Sequence, residues 1–136
     1  MRLSEKNLIY HKSPLIGIIE FVAKVGTDIY YKSIGSNEIY EGRLPESSFK
    51  PIPLSEDWLL NLGFYLENSK DRLSIEAWAP AHPSQRFNID FKDGKILLIS
   101  RYQEDNDNFT MPHIKYVHQL QNLFFALTDK ELNVIV

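Results

Sequence analysis

Cysteine is absent from the chain, which removes disulfides, Cys-ligated zinc, thiol catalysis and thiol redox switching from consideration. An excess of either charge is absent too. Fifteen Lys and Arg stand against 18 Asp and Glu, a formal net charge of −3, so the balance points to neither a nucleic-acid nor a membrane partner. No apolar run approaches the roughly 20 residues of a membrane-spanning helix. Glycine is scarce, and the six present are scattered through turn-like segments. They compose no Walker loop, no G-x-G-x-x-G and no G-x-S-x-G. No cofactor is expected, and the protein is expected not to be an enzyme. The opening residues Met1 to Lys6 are expected to lead into a strand, not a secretory signal core. Together these point to a cytoplasmic globular protein, and a chain of 136 residues can bury roughly two thirds of its unfolded surface.

Charge is missing most tellingly from Tyr116 to Thr128 (YVHQLQNLFFALT). An amphipathic surface helix places Lys, Arg and Glu on its wet face. Here His118, Gln119, Gln121 and Asn122 would occupy that face, with Phe125 beside His118 and Gln121. Neutral hydrogen-bonding groups suit a surface that meets a copy of itself across a two-fold axis. These five residues are therefore the expected interface of a homo-oligomer; burial within the chain is the rival reading.

The first half reads as short strands: Leu8 to Tyr10, Leu15 to Val25, Ile29 to Ile34 and Glu38 to Arg43. Gly17 marks an expected bulge or bend, and Gly26 and Gly35 mark turns. This spacing suggests a small SH3-like β-barrel or a meander. Pro51 and Pro53 are expected to end the sheet. Ser55 then caps a short helix with Glu56 and Asp57 in its first turn, Trp58, Leu59 and Leu62 on one apolar face, and Gly63 at its stop.

Four strands follow: Phe64 to Glu67, Arg72 to Trp78, Arg86 to Phe91 and Ile96 to Tyr102. Asp93-Gly94 favours a type I′ hairpin turn. Gln103 to Asn108 reads as a polar loop, Pro112 as the first residue of the long helix, and Leu132 to Val136 as a last strand. The expected fold class is α+β: a β-lobe over residues 1–54, then a short linking helix, an antiparallel β-meander and one long C-terminal helix over 55–136, sharing one core.

No metal is expected. His113 and His118 lie about 140° apart around a helix, so they cannot clamp one ion as an i, i+4 pair would. His11 and His82 stand alone. Glu104 to Asn108 starts like a calcium loop, but Phe109 occupies a ligand position and the glycine and distal glutamate are missing.

The hairpin register yields a sharper feature. A two-residue loop at Asp93-Gly94 puts Phe91 opposite Ile96, Ile89 opposite Leu98 and Arg86 opposite Arg101. Like charges in direct opposition destabilise a sheet. Trp78 shares the parity of the polar face, so Trp78, Arg86 and Arg101 form a candidate site for a phosphate and a stacked base. The alternative is that Glu76, Asp90 or Glu104 supplies the counter-charge. In the first half, Tyr10, Tyr30, Tyr31 and Tyr40 interleave with Lys12, Lys24, Lys32 and Arg43, a pattern that a single-stranded nucleic-acid platform would use; filling strands is the plainer role of these tyrosines.

Residues 49–64 (FKPIPLSEDWLLNLGF) and 115–128 (KYVHQLQNLFFALT) resemble paired blocks in a family of small uncharacterised proteins from Bacteroidota, their prophages and gut phages. With Leu8 to His11 the resemblance covers about a third of the chain. It implies an accessory protein of a phage or mobile element, working in the cytoplasm of a bacterial host, and it supplies no catalytic residues. The family's Thr-Gly-x-Glu-Leu stands here as Thr128-Asp-Lys-Glu131-Leu132, so a Thr128–Glu131 capping box is expected in place of a glycine stop. The functional expectation is a non-enzymatic binding or assembly module with a possible protein partner. The alternatives are an anti-defence protein that sequesters a nucleotide immune signal or another small anion, and a weak single-stranded nucleic-acid binder.

Overall fold

The computed structural model describes residues 2–13, 16–34, 40–66, 72–78, 85–102 and 105–134, with backbone alone at several strand ends. It is α+β and divides into two units, Met1–Pro53 with Tyr116–His118, and Leu54–Lys115 with Gln119–Val136. Among the described residues no helix is long and apolar enough to cross a membrane.

The first unit is an antiparallel sheet of β1 (Leu8–His11), β2 (Ile18–Val25), β3 (Asp28–Ser33), β4 (Tyr40–Pro45) and β5 (Phe49–Pro51), in the order β4-β3-β2-β1-β5. A single 3-10 turn, Glu46–Ser48, joins β4 to β5. Gly26 at φ +63° makes the β2–β3 turn. The strand bend falls at a register shift between Phe21 and Ala23, while Gly17, at φ +65°, instead completes the turn before β2. Ile9, Ile19, Phe21, Ile29, Tyr31 and Phe49 form the core. β5 was not legible in the sequence because Pro51 lies in it. The residue is tolerated there because β5 pairs on one side only, as the strand order requires. No pairing of β4 with β5 closes this sheet into a barrel among the described residues.

The second unit starts with α1 (Glu56–Asn61). Ser55 caps it, its Oγ accepting from the Trp58 N–H at 3.2 Å. Gly63, at φ +95°, closes it in a Schellman motif: the Phe64 N–H donates to the Leu59 carbonyl and the Gly63 N–H to that of Leu60. Leu59 and Leu62 are buried, whereas Trp58 is only half-buried. The meander β6 (Tyr65–Leu66), β7 (Leu73–Trp78), β8 (Gln85–Lys92), β9 (Lys95–Tyr102) and β10 (Asp105–Met111) runs in strict sequence order. Asp93 and Gly94 both have positive φ, +54° and +74°, as a type I′ turn demands. The Phe91–Ile96, Ile89–Leu98 and Arg86–Arg101 pairs follow from it.

Three expectations fail here, each for a tertiary reason. Asp105–Met111 is a strand, not a loop, pairing with β9 along its length. Its Asn and Asp residues have poor β-propensity, but at a solvated edge the ladder outweighs propensity, and a polar edge resists pairing with another chain. Pro112 opens a turn, not a helix; α2 is Val117–Thr128, beginning after Tyr116 bridges to Pro53 and where the Val117 N–H donates to the Ile52 carbonyl at 2.8 Å. The tail at 132–134 makes no strand, because the Leu132 carbonyl is taken by Gln121 Nε2 at 3.1 Å; residues 135–136 lie outside the described set.

The helix stop also differs from expectation. Asp129 itself takes φ +58°, a conformation Asp tolerates better than most residues. The Thr128 hydroxyl donates to the Phe124 carbonyl at 2.8 Å and accepts from the Lys130 N–H at 3.1 Å. That hydroxyl thus closes the helix end through its own neighbours.

Candidate functional site

The arginine row follows from strand order. Trp78 on β7 stands opposite Arg86 on β8, which stands opposite Arg101 on β9. Directly paired residues share a face, so the three positions make one row across roughly 10 Å of sheet. The Trp78 side chain lies outside the described residues. Arg86 is exposed and Arg101 half-buried, and Arg101 Nε is shielded without a hydrogen-bond partner. Of the counter-charges expected, Asp90 is engaged elsewhere, Glu76 is exposed and sits diagonally from Arg86 on the same face, and Glu104 lies outside the described residues.

Asp90 belongs to a cluster that the sequence did not disclose. It is 2% exposed. Its Oδ1 accepts from the Ser74 hydroxyl at 2.6 Å, and its Oδ2 meets Arg72 Nη1 at 3.3 Å. Ser74 lies directly opposite Asp90 across β7 and β8, a pairing that needs a register across the 79–84 connection. Glu76 faces Asn88 instead, so the acidic pair Glu76 and Asp90 is split between water and a buried ion pair. Beside Arg72 a cleft of about 410 Å³ opens within the second unit.

On α2 the neutral polar residues divide. His118 and Gln121 are 3% and 2% exposed, covered by the chain itself, so two of the five residues assigned to an oligomer face are not available to a second copy. Burial is tolerable because Gln121 donates to a carbonyl. Gln119 and Asn122 are half-buried, and Gln119 Oε1 accepts from the Lys115 N–H at 2.8 Å. Phe125 alone of the five is open, at 44%.

His118 stacks on Tyr116 with ring centroids 6.0 Å apart, and its Nδ1 has no partner. Burial lowers its pKa below 6.5. A histidine with a depressed folded pKa binds its proton more readily when the chain is unfolded. Stability is therefore full above about pH 6.5 and falls as pH drops from there through the folded value. Urea midpoints between pH 7.5 and 5 should show this decline, and His118→Gln should flatten it. An unchanged slope in the variant would assign the decline to other groups.

Two residues of the candidate nucleic-acid platform are engaged within the first unit. Tyr31 is core, and Lys24 is bound to Glu46 at 2.7 Å. Tyr10 is exposed, Tyr30 half-buried, and the Tyr40 side chain lies outside the described residues. His113 is exposed, His11 is buried with its Nδ1 accepting from the Ser13 N–H at 2.9 Å, and His82 lies outside the described set. Among the described residues no three His, Asp or Glu side chains gather as a metal site would require. Comparison with known proteins finds no matching family model, no matching curated protein and no matching solved structure.

Proposed function

We propose that the protein is a non-enzymatic binding module that holds a small anionic, ring-bearing ligand, such as a nucleotide, on the Trp78, Arg86 and Arg101 row. The observation that carries this reading is the register of β7, β8 and β9, which aligns one indole position with two guanidinium positions on one face. Arg gives planar, bidentate contact to phosphate, and two guanidinium positions side by side suit such a group. The same lobe order that sets β5 beside β1, with a bent β2 and a 3-10 turn before β5, supports an SH3-like first unit. The family resemblance adds the setting: an accessory protein of a phage or mobile element that sequesters a nucleotide signal of its host.

Thermal unfolding with mononucleotides, cyclic dinucleotides and ADP-ribose tests the reading. A ligand at a hundred times its dissociation constant adds about 2.7 kcal/mol of stability, several degrees in Tm for a chain of this size. Arg101→Glu should abolish the ligand shift, because it replaces one of the two paired guanidinium positions with a carboxylate. If no anionic compound moves the wild-type Tm, the arginines are a surface pair and the reading fails.

A further inference from the structure

β7 to β10 pair without a register shift, so alternation sorts their side chains onto two faces. Leu73, Ala77, Ile89, Ile96 and Leu98 share one face and are buried. The other face is the open one. On it Glu76, Arg86, Lys92, Lys95, Asn108 and Thr110 are exposed, while the short residues Ser74, Asn88 and Asp90 in its middle are buried.

This open face is basic. Lys92 stands opposite Lys95 and Arg86 opposite Arg101, and the two pairs lie roughly 20 Å apart along β8 by strand rise. Arg72, held by Asp90 at 3.3 Å, brings a fifth cation to the same side. Against these five stand Glu76 and Asp90, and the cations remain in excess with Asp93 of the hairpin turn counted, among the described residues. The whole chain carries a net charge of −3, so bulk composition conceals the patch.

Between the two cationic pairs the ground on β9 is apolar. Along this face β9 reads Lys95, Leu97, Ile99, Arg101, the middle two half-buried, with Asn88 and Asn108 on either side of Ile99. A single small anion reaches only one pair. An acidic peptide would be answered by cations along the whole row, and these are gathered at its ends. A duplex turns its bases inward and leaves Leu97 and Ile99 uncontacted. A single strand has both parts that the face answers, spaced phosphates and flat rings.

We infer that the open face of the β7–β10 sheet binds a single-stranded nucleic acid, with phosphates at the Arg86–Arg101 and Lys92–Lys95 pairs and bases over Leu97 and Ile99. This rests on the Trp78, Arg86 and Arg101 row holding a nucleotide, which here becomes one residue of a strand. The contacts are to phosphodiester and base ring, the chemistry that DNA and RNA share.

Fluorescence anisotropy of the whole protein with a labelled oligothymidylate of about eight residues, a length within the range of single-strand sites, tests this with thymidine monophosphate as competitor. The oligonucleotide should bind at least about tenfold more tightly than the mononucleotide. Lys92→Gln with Lys95→Gln, both at exposed positions, should weaken the oligonucleotide and leave the mononucleotide unchanged. The same double variant should flatten the plot of log affinity against log salt by about 1.4, the value for two lost phosphate contacts on a single strand. Arg101→Glu should weaken both ligands. An oligonucleotide no tighter than the mononucleotide overturns the inference and leaves the nucleotide row standing; binding of neither overturns both. Equal affinity for a duplex of the same length, or for polyglutamate, also overturns it, as does an unchanged salt slope in the lysine variant.

Discussion

Leu59→Ala is expected to lower stability by about 3–4 kcal/mol, among the largest losses available to a single truncation in this protein. Leu59 is 0% exposed, and its carbonyl also receives the Phe64 N–H that closes the helix. A helix of six residues is far shorter than one that stands alone in water, so α1 exists because its apolar side is buried. Truncation removes transfer free energy and leaves a cavity that the capped, glycine-stopped helix cannot collapse into. Trp58 shares that face, and its size suggests from sequence that it should matter more. Its half-buried position reverses the order: Trp58→Ala should lose about 1–2 kcal/mol, since only the buried part of the indole contributes. Urea unfolding of both variants checks the ranking. A loss below about 1 kcal/mol for Leu59→Ala would mean that α1 is not docked through this residue.

Arg72→Ala should be nearly as damaging, at about 3 kcal/mol, because it leaves the Asp90 carboxylate buried with only the Ser74 hydroxyl. The figure is kept at the bottom of the range for a broken buried pair because Arg72 is 38% exposed and its attraction to Asp90 is partly screened. Asp90→Asn should lose less, since an amide can keep the Ser74 bond and carries no charge to strand. Combining Asp90→Asn with Arg72→Met should recover much of the loss seen on removing Arg72 alone. Non-additivity of that kind is the signature of a coupled pair. Strictly additive denaturant midpoints would show that the two groups do not interact in solution.

The readings that held rest on neighbours in sequence. Ser55, Glu56, Asp57 and Gly63 carry the start and stop of α1 within a few residues of one another. Asp93-Gly94 sets a turn, and the turn sets the register out to Arg86 and Arg101, because a two-residue loop leaves no freedom in the pairing. The uncharged run after Tyr116 is a helix over Val117–Thr128 because apolar residues recur there at helical spacing.

What required the tertiary structure is what depends on partners far along the chain. β10 is a strand because β9 offers it a ladder, though Asn and Asp argue against one. β5 pairs with β1 across some forty intervening positions, despite Pro51. His118 and Gln121 are polar and uncharged, a pattern equally suited to an interface and to burial; only the fold shows them covered. Arg72, Ser74 and Asp90 carry no motif in sequence, since their meeting depends on the β7–β8 register. Local sequence determined where elements begin, end and turn, because caps, turns and periodicity act over a few bonds. Which strands pair and which polar groups are buried was decided by long-range contacts, whose free energies outweigh local propensity.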